Sequence, residues 1–409
     1  MNFDDSPEEV AFRAEVRAFL DEHAEPRQQG SLASSYYSRV PTLEAERAHV
    51  AECKTWQRVK YDNGWAGITW PRAYGGRGGT AVQQGIFNQE ESKYDVAGGV
   101  FAVGIGMAGP TLIAHGTDAQ KARYLDPMLR GDEVWCQLFS EPNAGSDLAG
   151  LSTTAVRDGD QWLVNGQKVW NSGAHYSDWG ILLTRSNPDA PKHKGITYFL
   201  LDMRTAGIDV RPLKQITGAA HFNEVFLTDV RIPHENVLGA PNAGWGPILT
   251  TLANERTLIG GGQSSVTIDD FIALARHFGV AADPLVRQEL ARQHTYFQTI
   301  RYMGYRVQTA ASKGVQPGPE SSVLKLAATR RLTHAADLAM ALSGAAGMLA
   351  DADAFLGGFW QQQFLNQWMS KIGGGTDQVQ RNIVGENVLG LPSEPRVDKN
   401  VAFRDIPRA

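Results

Sequence analysis

Cysteine is nearly absent from this chain: Cys53 and Cys136 are the two in 409 residues. They lack metal-ligand spacing, and a protein of this length needs no disulfide framework, so both are expected to be core thiols in a reducing compartment. No metal site is expected. Long apolar runs are also missing. Nothing approaches the ~20 residues needed to cross a bilayer, and the opening MNFDDSPEE is acidic where a signal peptide starts basic. A cytoplasmic protein is the expectation. Dense runs of Lys or Arg are lacking as well. With a formal charge of −5 and a pI near 6.1, binding to a polyanion through phosphate neutralisation is disfavoured.

What is present is an ordinary globular composition. Hydrophobic residues make up 42% and charged residues 20%, enough apolar surface to fold, and the length implies two or three packed units rather than one core. From Ser6 the pattern is helical, with Phe12, Val16, Phe19 and Leu20 on one face behind a Ser6 cap and Pro7 in the first turn. GITWPRAYGGRGG is a Gly-rich break, and GPTLIAHGTDAQKARYLDPMLRGD splits into two short helices near Gly116. After Asp132 the texture turns to short Val, Thr, Trp and Tyr-rich runs: TTAV, QWLVNGQKVW, DWGILLTRS, GITYFLLDM and NEVFLTDVRI. Asp158-Gly159 and Asn165-Gly166 are hairpin-type dipeptides, which favours antiparallel meandering strands over a Rossmann fold. From Gly244 the helical period returns in GPILTTLANERTLIGG, PLVRQELARQHTYFQTIRYMGYRVQTAAS and SSVLKLAATRRLTHAADLAMALSG, with PGPE at 317–320 as an interhelical loop. The reading is an α+β protein with an N-terminal α-helical domain at 1–132, a middle antiparallel β domain at 133–240 and a C-terminal helical bundle at 241–409.

Several segments in fixed order carry a resemblance: WPRAYGGRGG, AHGTDAQKARYL, LFSEPNAGSDLAG, VNGQKVWNS, FNEVFLTDVRIPHENVLG and GGGTDQVQRNIVGENVLGLP. Together they resemble the acyl-CoA dehydrogenases, flavoenzymes that remove hydrogen from the α and β carbons of an acyl thioester. The resemblance implies FAD. It makes Leu138, Phe139, Ser140, Gly145 and Ser146 cofactor candidates on the pyrimidine side of the flavin, with Ser146 also meeting the substrate's pantetheine arm. Trp170, Asn171 and Ser172 match the residues placed against the isoalloxazine ring. Gly375, Thr376 and Gln378 match the flavin-covering loop and the helix after it. On the residues alone, SEPNAGSD reads equally as a tight interdomain bend, Trp170 as core filler, and GGGTD as a hinge before a helix capped by Thr376 or Asp377.

The reaction needs a carboxylate to take the pro-R α-proton. Many members of the family carry it in the C-terminal loop just before Gly-Thr, where this chain has Gly374. In a minority, the isovaleryl-type and long-chain enzymes among them, the base stands on a helix before an Arg. LANERTLIGG supplies that pair, so the resemblance points to Glu255 as the base, with Arg256 beside the substrate. Ile248, Leu249, Leu252, Leu258 and Ile259 suggest a mostly buried helix around Glu255. Gly260, Gly261 and Gly262, each costing a helix about 1 kcal/mol relative to Ala, suggest close packing. A carboxylate desolvated beside an acyl chain has a raised pKa and is the better base toward a weakly acidic C–H. Gly374 retains a backbone N–H, which the family directs at the thioester oxygen, so it is grouped with the catalytic residues.

Departures cluster at the cofactor's far end. Where the family has an Arg-Lys-Thr-Phe-Gly run this chain has ARHFGVAADPLVRQ, leaving Arg276 or Arg287 to stand in, and the family's Gln and Arg positions further on are Ala341 and Leu365. Either the chain grips the cofactor differently or a second, related subunit completes the site. The resemblance implies a homotetramer or homodimer, with a mixed assembly as the alternative, and an electron-transfer flavoprotein or similar acceptor. Competing readings are a flavin oxidase or monooxygenase on the same fold and a non-catalytic partner subunit. The vacated volume at Gly374 favours branched, long or polycyclic acyl groups.

Overall fold

The computed structural model describes residues 5–27, 42–261, 266–312, 318, 321–396 and 398–407. Its chain divides into two compact units. The first holds helix α1 (Pro7–His23), α3 (Ala81–Glu91) and the C-terminal helices; the second holds α2 (Leu43–Asp62), α4 (Gly109–His115), α5 (Asp118–Arg130), the sheet and the start of α6 (Trp245–Gly261) as far as Glu255.

Helix α1 begins where its residues dictate. The Ser6 hydroxyl accepts from the Glu9 N–H, the Glu9 carboxylate accepts from the Ser6 N–H at 2.7 Å, and Pro7 opens the first turn. The stripe Phe12, Val16, Phe19 and Leu20 is buried. Its charged flank is tied to α3 through Glu90, which is 1% exposed and takes Arg13 at 2.7 Å, Arg17 at 2.9 Å and Lys93 at 2.6 Å. Burial pushes this carboxylate up, yet the surrounding cations outweigh it and bring its pKa to about 2. The remaining helices of this unit are α7 (Ile268–His277), α8 (Pro284–Ser312), α9 (Ser321–Ser343), α10 (Phe359–Ile372) and α11 (Asp377–Ile383). Phe271, Leu274, Leu338, Ala339, Leu342 and Trp360 form their core.

In the second unit a seven-stranded sheet runs β1-β4-β2-β3-β7-β6, with β5 also on β4. The strands are β1 (Trp135–Leu138), β2 (Thr154–Asp158), β3 (Gln161–Lys168), β4 (Trp179–Arg185), β5 (Ile196–Asp202), β6 (Ile208–Leu213) and β7 (Phe222–Pro233). Alternation sorts them into two layers of core. Ile181 and Leu183 of β4 join Trp70, Leu112, Met128 and Ile248 on one side; Leu182 between them joins Trp162, Phe199 and Val225 on the other. Cys53 and Cys136 are buried free thiols, and burial raises their pKa to about 11 and about 12.

Several expectations need correction. Asp158-Gly159 does turn between β2 and β3, with Gly159 at φ 64°. Asn165-Gly166 does not turn: it lies inside β3 as a bulge where the register to β7 shifts. The Asn165 side chain bonds Asp229 through both its donor and its acceptor, holding Asp229 at φ 50°, and a Cβ at Gly166 would sit 2.4 Å from the Thr153 hydroxyl. The sheet is not wholly antiparallel, since β1 and β2 both pair β4 in parallel. Nor is α6 uniformly buried: Ile248 is enclosed, but Leu249 and Leu258 are 50% and 41% exposed. Most of PGPE, together with Gly262, lies outside the described residues.

One close approach sets a test of the fold. A Cβ at Gly109 would fall 2.1 Å from the Trp70 ring, and Trp70 is itself fixed by an indole N–H donated to the Ile105 carbonyl at 3.1 Å. Gly109→Ala is expected to lower stability by about 2 kcal/mol or more in urea unfolding, the cost of overpacking a closed core.

Candidate active site

The site is built on α6 and β1. Helix α6 is pinned by a buried hydroxyl chain: Thr251 Oγ1 lies 2.9 Å from Thr111 Oγ1 and 3.1 Å from the Tyr198 hydroxyl, and donates to the Pro247 carbonyl at 3.0 Å. Beside it, His115 Nε2 meets Thr250 Oγ1 at 2.8 Å, and burial holds that imidazole below its usual pKa. Ile248, Thr251 and Glu255 follow at helical spacing, so the face that buries Ile248 and Thr251 also carries Glu255. Glu255 is half-buried, with Oε2 3.4 Å from Gln137 Nε2 of β1. The side chain of Arg256 lies outside the described residues.

Gln137 has a second task. Its carbonyl accepts the Asn171 amide at 2.7 Å, linking the strand under Glu255 to the loop that leaves β3. Trp170 in that loop is 61% exposed at φ 63°, edge-on to Phe222. A large residue kept in the left-handed region and turned to solvent is not core filler; such strain collects at ligand sites. Asn171 is 1% exposed and its Oδ1 has no partner among the described residues, while Ser172 is half-buried. The loop is held from behind by Asn223, which donates to the Asn171 carbonyl and faces His175, itself 2.5 Å from Glu46.

The SEPNAGSD turn follows β1. Leu138 and Phe139 bury their side chains in opposite cores, so each offers only backbone to a ligand. The Ser140 carbonyl accepts the Val169 N–H, and Gly145 and Ser146 stand exposed. Beneath them Glu141 binds Lys168 at 2.8 Å, the Ser152 N–H and hydroxyl at 2.7 and 2.9 Å, and the Thr153 N–H at 2.9 Å. Burial raises the Glu141 pKa, but Lys168 and these donors overcome it and bring it to about 2. Gln137, Glu141 and Lys168 do not stand out from sequence, although the last two lie inside the motif segments.

In the other unit the GGGTD loop has its own scaffold. Gly374 and Gly375 take φ 63° and 84°, where side chains are strained. Gln380, 1% exposed, donates to the Gly374 carbonyl at 3.1 Å and would lie 2.5 Å from a Cβ at Gly375. Thr376 caps α11 by accepting from Val379, Asp377 binds Lys325 at 2.9 Å, and Gln378 is exposed.

Family models for the acyl-CoA dehydrogenase N-terminal, middle and C-terminal domains match residues 6–132, 136–230 and 242–389. The chain belongs to the acyl-CoA dehydrogenase family. It is an oxidoreductase of that class. It is 37% identical over 390 residues to acyl-CoA dehydrogenase IpdE1 of Mycobacterium tuberculosis, covering 94% of this chain and 98% of that one. Among solved structures it resembles the Tcur3481-Tcur3483 steroid ACAD, at TM-score 0.81 and 28% identity over 96% of this chain and 100% of that one. It also resembles the ChsE4-ChsE5 complex from M. tuberculosis, at 0.78 and 30% over 96% and 100%. No described helix is long and apolar enough to cross a membrane, and no metal-ligand cluster occurs among the described residues.

Two outcomes test this geometry. Glu141→Gln leaves Lys168 buried without a countercharge, so unfolding free energy should fall by about 3–5 kcal/mol, with much of it regained in Glu141→Gln/Lys168→Met. Because the folded Glu141 pKa lies below its unfolded value, its stabilisation is present above about pH 4.5 and fades as pH falls toward about 2. For the Trp170 loop, Trp170→Gly relieves the positive φ while deleting the indole. Flavin-free protein should be as stable as the parent or more so by thermal melting, and its retention of flavin should weaken by at least tenfold.

Proposed function

We propose that this chain is the base-carrying subunit of an FAD-dependent acyl-CoA dehydrogenase that converts a bulky, ring-bearing acyl-CoA to its trans-2-enoyl thioester. The observation that carries the proposal is Glu255, presented on the anchored face of α6 and steadied by Gln137, in a chain whose loop position is Gly374. FAD, when bound, accepts the hydride that leaves the β-carbon. Trp170, Asn171 and Ser172, with the exposed backbone at Gly145 and Ser146, suit the ring system: an exposed indole face, an unpartnered buried acceptor, and a small-residue turn. Glu255 takes the α-proton, with the Gln137 amide 3.4 Å from its Oε2. Gly374 accepts the Gln380 amide at its carbonyl and keeps a backbone N–H, the group that the family directs at the thioester oxygen. Gly375, Thr376 and Gln378 contact the flavin, and Arg256 and Ser146 the substrate, as the family resemblance implies.

The structurally similar Tcur3481-Tcur3483 protein is named a steroid ACAD. That supports a polycyclic substrate class here, in keeping with the vacated side-chain volume at Gly374. Two structural neighbours, Tcur3481-Tcur3483 and ChsE4-ChsE5, also carry paired names. Together with Ala341 and Leu365 at the family's Gln and Arg positions, and with Arg276 and Arg287 exposed on this chain, they support a mixed assembly in which a second, related chain completes the adenosine end of the FAD site.

Glu255→Gln should keep the yellow, flavin-bound spectrum and lower acyl-CoA oxidation by about a thousandfold or more, since an amide cannot accept the proton. Activity near that of the parent would overturn the assignment of the base. Anaerobic bleaching of the flavin by a ring-bearing acyl-CoA distinguishes the dehydrogenase from a monooxygenase, which would need an external reductant. Purified alone, the chain should hold well under one FAD per subunit, and co-expression with its related chain should restore full occupancy; stoichiometric flavin in the isolated chain would remove the mixed-assembly reading.

A further inference from the structure

The C-terminal bundle contains a cavity of about 60 Å³ with a charge that has no counterpart among the described residues. Arg331 on α9 lines it and is only 7% exposed. Its guanidinium lies 4.7 Å from the ring centre of Phe297 on α8, and among the described residues it has no hydrogen-bond or carboxylate partner. Isolated buried cations are strongly disfavoured, and the environment registers this: burial alone lowers the Arg331 pKa to about 10, which leaves it cationic at neutral pH. Every other buried ion of this chain discussed above is neutralised from within, Glu90 by three cations and Glu141 by Lys168.

The rest of the lining is mixed: Val266, Phe271, Leu332, Ala335 and Ala336 are apolar, Gln363 and Gln367 are amides, and the Gln367 Oε1 acceptor has no partner among the described residues. Asn366 and Ser370 of α10 add polar groups to the same wall, and the Trp360 indole N–H, on a residue 2% exposed, is buried without a partner among the described residues. No described Asp or Glu lines the cavity. One water needs about 10–15 Å³ by the same measure, so the volume suits a single carboxylate or phosphate group with little to spare. We propose that this cavity is an oxyanion site, in which Arg331 binds one carboxylate or phosphate group. The planar guanidinium offers such a group paired donors, and Trp360, Asn366 and Ser370 supply further hydrogen-bonding capacity. The oxyanion arrives either free in solution or as a carboxylate of a neighbouring subunit.

The test is thermal melting of the full-length protein titrated with inorganic phosphate and, separately, acetate, at constant ionic strength set with chloride. Two protein concentrations are used, one above and one below subunit association as judged by light scattering. The comparison protein is Arg331→Met, which keeps the volume and removes the charge. Parent protein should show a saturable rise in Tm of about 2 °C or more. The variant should show none, and should melt no lower than the parent in anion-free buffer because it no longer buries an unpaired charge. A response at both concentrations identifies a free ion as occupant; a response only in dissociated protein identifies a carboxylate from a neighbouring subunit. No anion-dependent rise at either concentration, or an equal rise in Arg331→Met, overturns the proposal. Should the variant fold poorly, Arg331→Lys keeps the charge but not the paired donors, and a midpoint unchanged from the parent's would equally refute it.

Discussion

The buried pair of Glu141 and Lys168 is the constraint on which the β half of the site depends. One partner sits in the turn that leaves β1, the other at the end of β3, and the Lys168 ammonium also reaches the Phe139 carbonyl at 3.0 Å. The turn bearing Gly145 and Ser146 and the loop bearing Trp170 are thereby fixed to one point. Taking both charges out of water is costly, and their attraction offsets that only when the remaining lone pairs are filled. Here they are filled, by Ser152 and Thr153 on the carboxylate. The arrangement gives position more than stability: a hydrophobic pair of equal volume would fold as well, but would leave the turn's carbonyls and N–H groups free to choose other partners.

A base on a helix, as proposed for Glu255, changes what must be rigid. A loop carboxylate moves with its loop; Glu255 moves with α6, and α6 is held to its unit by Thr111, Tyr198 and His115 through hydroxyls rather than by apolar packing alone. Directional bonds fix rotation about the helix axis as well as depth, and rotation decides where a side chain on the next turn points. At Gly374 the backbone carbonyl accepts the Gln380 amide. Reading Gly374 as a lost residue would miss that the left-handed backbone there, φ 63°, suits glycine on its own account.

Much of the scaffold is legible because local chemistry and tertiary packing agree. The α1 cap, the split at Gly116 and the Asp158-Gly159 turn each satisfy backbone groups by themselves, whatever surrounds them. Asn165-Gly166 misleads for the opposite reason. Its dipeptide is a turn former, yet Asp229 across the sheet occupies both ends of the Asn165 amide and Thr153 needs the space at Gly166, so a long-range partner decides the geometry. The exposure of Leu249 and Leu258 is hidden because apolar residues around a helix do not say which sides have neighbours within the same chain. Gln137 is invisible for a related cause: one Gln before a motif has no periodic signature, and its role appears only when β1 passes beside both Glu255 and Asn171. Candidate ligand residues fare unevenly on the same principle. Trp170 and Ser146 are exposed as a ligand surface requires, whereas Leu138 and Phe139 are interior and can contribute backbone alone.

Charge burial separates structural sites from open ones in this molecule. Glu90, Glu141 and Lys168 each find opposite charge within their own unit, and the cost of enclosing them is met by bonds formed on folding. Arg185, also pushed down to about 10 by burial, still places both terminal N–H groups on the Lys192 and Ala149 carbonyls and its face on Phe403, while its Nε has no partner among the described residues. Arg331 is nearly as enclosed as Arg185 but among the described residues has only an aromatic neighbour. A fold that pairs or hydrogen-bonds these other enclosed charges has the means to satisfy this one too, and an apolar residue at 331 would remove the cost altogether. That the charge persists beside a cavity that also holds the unpartnered Trp360 N–H is what the proposed anion would account for.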